Sequence, residues 1–186
     1  MASRVMISAK SLLIVGLLGV VVLAGYLYSG LYPIGADTPH NKLTFWALET
    51  LRENSVARAA KAIQVPADLG TPSRLLAGGP DYNEMCSGCH LRPGRTQSDF
   101  TQGLYPSPPN LSRLKAGEED IAQRRKEHFW IIKHGIKASG MPAWGPTHDD
   151  ERIWNMVAFL ERLPELSSEQ YQILTARGEQ DSGGHH

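Results

Sequence analysis

EMCSGCHL, residues 84–91, holds both cysteines of the chain, three positions apart, with a histidine directly after the second. Two cysteines at that spacing serve as a redox dithiol, as half of a zinc site or as the anchor of a covalent cofactor. A thioredoxin-like dithiol sits in an alternating strand–helix pattern, whereas this neighbourhood reads as helical and has no convincing strand run. A structural zinc site takes four ligands, usually two Cys-x-x-Cys knuckles or a cysteine pair with a histidine pair. The chain has no second knuckle. A simple disulfide between Cys86 and Cys89 stays open if the segment lies in an oxidising compartment. His90 decides, because Cys-x-x-Cys-His is the attachment signature of c-type haem. The order is chemical: two thiols add to the haem vinyl groups, and the next residue on the same turn points its imidazole at the iron.

A haem iron bound by one histidine takes a further ligand or leaves a position open, and five methionines are available. Met1 and Met6 precede the anchor and Met85 abuts it. Met156 lies in the amphipathic stretch ERIWNMVAFLERL, where core packing or an exposed helix face accounts for it. Met141 stands in KASGMPAWG, residues 137–145, after a helical run and between Gly140 and Gly145. Pro142 restricts Met141 to extended backbone angles, so a loop here turns a thioether inward. Met141 is the expected second axial ligand.

The amino-terminal part sets the compartment. From Ser11 to Ala36 there is no charged residue, and SLLIVGLLGVVVLAGYLYSGLYPI is long enough to cross a bilayer as a helix. Arg4 and Lys10 flank it on the amino side and stay cytoplasmic by the positive-inside rule, while Tyr26, Tyr28 and Tyr32 suit the opposite interface. A cleaved signal peptide, cut after Ala24, is the alternative, but the apolar run continues beyond the length that a cleavable signal needs. Either way the remainder is exported. The expected place is a single-pass anchor in a bacterial inner membrane with the haem domain in the periplasm.

These motifs, over about residues 74–164, resemble the class I, mono-haem c-type cytochromes. In that family a first helix carries glycine, an aromatic and the first cysteine four residues apart, and Gly78, Tyr82 and Cys86 match. The haem-binding histidine matches His90. The family's proline loop matches PPNL, so that Pro109 is implied to accept a hydrogen bond from the His90 ring, a bond that orients a ligand and raises its basicity. IIKHGIKASGMPAWG resembles the family's helix and methionine loop, with Met141 axial, and IWNMVAFLERLP resembles its closing helix, with Trp154 and Phe159 near Gly78 and Tyr82. Two positions depart from the pattern: Leu91 stands where glycine is common, and Pro80 lies in the first helix, where it shortens or bends the start.

The expected architecture is all-α, an N-terminal transmembrane helix plus a class I cytochrome c domain. Residues 1–36 form the cytoplasmic start and anchor, 37–70 a juxtamembrane helical linker, 71–166 the haem domain, and 167–186 a short helix and tail. Within the linker, Thr38 and Pro39 suggest a helix start. GRTQSDFTQGLYPSPPN reads as a loop along a haem edge. GEEDIAQRRKEHFWIIKHGI reads as a helix with acids first and bases later, burying Phe129, Ile132 and Ile136. His40, His128 and His134 read as solvated side chains, and His148 and Met156 are not expected to reach the iron. Ser167 and Gln170 form a reciprocal cap for the last helix, with Gly178 as its stop, and His185 and His186 fall in a frayed tail. Bases outnumber acids between 92 and 137, and acids outnumber bases from 138 onward, a polarity suited to steering a redox partner or to ordinary solvated faces. Charges balance over the whole chain, so nucleic acid is not an expected partner.

The expected function is carriage of single electrons by one covalent haem c, between partners such as a terminal oxidase or another periplasmic oxidoreductase. A haem-bearing subunit of a larger membrane complex shares all of this local chemistry. A ligand-binding or sensing haem protein follows if Met141 leaves the iron. Saturated coordination leaves no substrate site, so no enzymatic activity of the chain alone is expected.

Overall fold

The computed structural model describes residues 8–114, 120–137 and 139–176, which contain helices and no strand. The chain divides into two compact units, Met1–Thr38 and Pro39–His186. The first contains α1, Ala9–Tyr28, whose twenty residues span about 30 Å at 1.5 Å per residue. That is close to the thickness of a bilayer's hydrocarbon core. Ser8 caps its start by accepting from the Ser11 N–H, and none of its residues is buried. Among the described residues it is the one helix long and apolar enough to cross a membrane.

The second unit begins with α2, Lys42–Ala60. Its start lies past the Thr38–Pro39 position suggested by the sequence. Asn41 is the cap instead, its side chain accepting from the Thr44 N–H at 2.9 Å. Then follow α3 (Pro72–Asp81), a π-helical turn (Tyr82–Cys86), α4 (Ser87–His90), α5 (Asp99–Gly103) and a 3₁₀ turn at Leu111–Arg113. After these come α6 (Ile121–His134), α7 (Asp150–Arg162), a 3₁₀ turn at Leu163–Glu165 and α8 (Ser168–Thr175). The short α5 occupies what the sequence suggested was continuous loop, because Ser98 and Thr101 cap each other's backbone N–H groups. Ser167 and Gln170 make the same reciprocal cap for α8. The acids before Asp120, the stop at Gly178 and the histidine tail lie outside the described residues.

Alpha helices α3 and α7 make the most extensive packing in the unit. Glycine is the reason. A Cβ at position 78 would lie 2.0 Å from the Asn155 carbonyl oxygen on α7, and one at 79 would lie 2.2 Å from that of Leu174 on α8. Two adjacent glycines thus let two helix backbones press onto α3. Beside this contact Tyr82, fully buried, meets Phe159 at 5.4 Å and Tyr171 at 6.3 Å between ring centroids, in tilted and edge-on arrangements that aromatic quadrupoles favour. Trp154 stacks on Phe129 of α6 at 4.3 Å. Helix α7 is therefore covered from two sides, which is why Ile153, Trp154 and Met156–Phe159 are all buried.

Ion pairs lock the helices in register. Asp81, buried at the end of α3, receives Arg152 of α7 in a two-pronged contact of 2.6 and 2.7 Å. Arg125 of α6 meets Glu161 of α7 at 2.5 and 3.0 Å. Pro80 does not cut the first helix short. It falls next to the last residue of α3, and the chain then widens into the π turn, with the Ser87 N–H reaching back to the Tyr82 carbonyl.

The glycine contact makes a prediction. Gly78→Ala forces two backbones apart and should destabilise the protein by about 3 kcal/mol or more, whereas Gly103→Ala, which meets nothing within 4 Å, should change stability by less than about 0.5 kcal/mol. Denaturant unfolding of the two variants beside wild type measures both. Equal effects would mean that α3 and α7 do not touch through backbone.

Candidate haem site

The π turn delivers Cys86, and α4 continues at once through Cys89 and His90. The two cysteines are not joined to each other. Burial pushes the Cys86 thiol up to about 12, helped by the nearby charges of Asp81 and Cys89. The group is a neutral thiol at neutral pH.

His90 Nδ1 lies 3.0 Å from the Pro109 carbonyl oxygen. A carbonyl only accepts, so Nδ1 carries the proton and Nε2 keeps the lone pair. Burial holds the imidazole below its ordinary range, against the opposing pull of the Pro109 bond. The neutral ring that a metal requires is thereby favoured.

The backbone directly after the histidine is strained. Leu91 has φ 66° and ψ −177°, a conformation that is nearly exclusive to glycine. Its side chain is buried, and its carbonyl accepts the Tyr82 hydroxyl at 2.6 Å. Burial and that bond hold the strained turn together, and burial with the neighbouring Cys86 raises the Tyr82 phenol far above its ordinary value, so it remains a donor. The glycine customary at this position is understandable, and so is its replacement: leucine accepts the strain and gains an apolar contact.

The methionine loop is a cap on α6. A helix ends with carbonyls that have no partner inside it, and here the loop supplies donors. Trp144 N–H donates to Ile132 O at 3.1 Å and Gly145 N–H to Lys133 O at 2.9 Å, while Ile136 N–H donates to Met141 O at 3.2 Å. Met141 N–H in turn donates to the Ser139 hydroxyl at 3.1 Å. Gly135, at φ 64°, lets the loop fold back on the helix end, since a Cβ there would stand 2.7 Å from Ala143 N. Met141 is held on both sides, its N–H by the Ser139 hydroxyl and its carbonyl by the Ile136 N–H.

One cleft is lined by Cys86, Cys89, His90 and Met141. Leu104, Pro106, Ile136 and Trp144 supply apolar wall. Unlinked thiols, an imidazole of fixed tautomer and a thioether facing one apolar cleft fit a haem. They do not suit a bare ion: among the described residues no group of three or more His, Cys, Asp and Glu is gathered for one. His40, His128, His134, His148 and Met156 are not among the residues lining the cleft, and Met156 is buried in the core instead.

Residues 73–160 match the family model described as cytochrome C oxidase, cbb3-type, subunit III. The chain carries a c-type cytochrome domain. No curated protein and no solved structure matches the chain. A c-type cytochrome domain binds haem c covalently and transfers electrons. The matched region starts on α3 and ends within α7, leaving α2 and α8 outside it.

Sequence reasoning missed three features of the cytochrome site. It marked Leu91 as unusual but not as strained, and it did not connect the Tyr82 hydroxyl to the Leu91 carbonyl. It also left the segment before residue 66 without a role, although Arg52 of α2 lines the cleft. An isolated arginine on an irregularly patterned helix carries no signal that would have found it.

Strain at Leu91 reverses the usual order of two substitutions. Both Leu91→Gly and Leu91→Ala lose the buried side chain, but only glycine relaxes the backbone. Leu91→Gly should be more stable than Leu91→Ala by about 1–2 kcal/mol, read from thermal or denaturant unfolding. The opposite order would place Leu91 in ordinary backbone.

Proposed function

We propose that this chain is a single-haem cytochrome tethered to the periplasmic face of a bacterial inner membrane, carrying electrons one at a time between respiratory or other periplasmic redox partners. Bound haem c supplies a one-electron iron couple. In this reading Cys86 and Cys89 would hold the haem covalently, each as a thioether formed by net addition of S–H across a vinyl group. His90 would bind the iron through Nε2, since Pro109 occupies its other nitrogen, and Met141, on a loop fastened to α6, would bind it through sulfur. A thioether opposite histidine raises the potential relative to a second histidine, which suits a carrier late in an electron-transfer chain. The meeting of the His90–Pro109 pair and the Met141 loop at one cleft is the observation that carries the proposal. The apolar α1 supports the tether.

The second reading is a fixed subunit of a larger membrane oxidoreductase, and the description of the matched family favours it. Co-purification from membranes in mild detergent separates the two. A stoichiometric complex identifies a subunit, and a lone membrane-bound haem protein identifies a tethered carrier. Recovery of the haem protein in the soluble fraction would remove the tether from both.

Ligation has its own test. Denatured wild-type protein should retain its haem in acidified organic solvent, and Cys86→Ser or Cys89→Ser should lose most of the holoprotein. The oxidised wild type should show the weak far-red band of thioether-to-iron charge transfer, and the reduced protein should bind carbon monoxide poorly. Met141→Ala should abolish the band, lower the potential and admit carbon monoxide. Rapid carbon monoxide binding by the wild type would instead assign the chain to ligand binding or sensing.

A further inference from the structure

Arg52 belongs to α2, outside the residues that match the cytochrome family, yet it lines the same cleft as Cys86, Cys89, His90 and Met141. Its place is set from both ends of its helix. Toward the carboxyl end, Val56 and Ala60 are buried, and α2 packs on α6. Ahead of the amino end, His40 donates its backbone N–H to the Tyr105 hydroxyl at 3.2 Å and sets its ring edge-on to Tyr105 at 5.2 Å. Tyr105 directly precedes Pro106, itself part of the cleft wall. Arg52 lies between these two fastenings.

The arginine head has donors to spare. Its contacts to Glu49, at 2.5 Å, and to Glu53, at 3.7 Å, both use Nη2. A guanidinium has five N–H donors in a planar fork that matches a carboxylate. Glu49 thus orients the group without exhausting it. Beyond the thiols, the imidazole and the thioether, the cleft is walled largely by apolar residues, and Arg52 is the charged residue at its lining. The ligand of this cleft has two kinds of periphery: apolar edges and vinyls, and propionate carboxylates. Only the carboxylates call for a cation.

Resting on the haem assignment above, we infer that Arg52 binds a haem propionate, so that α2 works as a strap that closes the cleft and places a positive charge beside the cofactor. The pair is partly solvated, since 38% of the Arg52 side chain is exposed, and its strength is correspondingly moderated. A cation near the iron disfavours the ferric state and raises the midpoint potential.

The experiment uses full-length holoprotein in detergent. Wild type, Arg52→Gln, Arg52→Lys and Arg58→Gln are compared by redox titration and by reduced-minus-oxidised infrared spectra in the carboxylate region. Arg58 is exposed on the same helix and does not line the cleft. Arg52→Gln should shift the midpoint potential downward and move a carboxylate band, Arg52→Lys should restore part of the potential shift, and Arg58→Gln should do neither. Thermal unfolding should be little changed across the set, which sets the effect apart from a structural one. Equal shifts in Arg52→Gln and Arg58→Gln, or no shift in either, would overturn the assignment. Should Arg52→Gln fail to mature, an Arg52→Lys spectrum identical to wild type in the carboxylate region would overturn it as well. Wild-type protein without covalent haem would instead overturn the reading of the cleft on which this inference rests.

Discussion

Everything in the haem domain depends on two helix backbones touching at Gly78. With the Asn155 carbonyl against it, α3 lies close enough to α7 for Tyr82 and Phe159 to share one core and for Asp81 to take Arg152 two-pronged. Helix α3 runs directly into the cysteines and His90. Helix α7 packs on α6, and α6 ends in the methionine loop. One crossing therefore joins the two halves of the site, which lie far apart in sequence. A buried aromatic of this size contributes about 2–3 kcal/mol, and the ion pair adds register more than net stability, since desolvating both charges offsets much of their attraction.

Around that crossing, the chain uses groups that helix ends leave unsatisfied. The end of α6 has carbonyls to spare, and Trp144 and Gly145 fill them with loop N–H groups. The end of α4 is handled differently: Leu91 enters a left-handed conformation, and the buried Tyr82 hydroxyl takes its carbonyl. Strain at the second end is tolerated because the surroundings hold it from several sides.

Much of this was legible in the sequence because the site is built from short motifs. Cys86, Cys89 and His90 fall within five residues, Met141 is marked by Pro142 and two glycines, and the pattern of Gly78, Tyr82 and Cys86 sets one face of a helix. Boundaries were less legible where competing local chemistry decided them. Thr38 and Pro39 looked like a helix start until Asn41 supplied the cap, and a reciprocal cap at Ser98 and Thr101 built a helix from loop-like composition. Pro80 was expected to shorten or bend the first helix, but it falls beside the last residue of α3, and the chain runs on into the π turn. Arg52 was illegible for another reason. Its importance comes from where α2 packs, and the mixed apolar pattern of that helix, with Leu43, Trp46 and Leu51 exposed, does not announce which side faces the domain.

An electron carrier is served by a site that changes little when its charge changes by one. Here the groups nearest the cleft are either neutral or already paired. His90 is held neutral with its N–H committed to Pro109, and the buried acid Asp81 is paired with Arg152. None of these groups has to move or titrate to accommodate a unit of charge in the cleft. In a low-dielectric interior, dipoles fixed in advance stabilise charge without the cost of reorienting at the moment of transfer. The Met141 loop follows the same logic in its backbone. Two hydrogen bonds to the end of α6, and one from the Ile136 N–H to the Met141 carbonyl, hold the loop about the thioether irrespective of the charge opposite it, so stiffness of the fold and low reorganisation on electron transfer have a common origin.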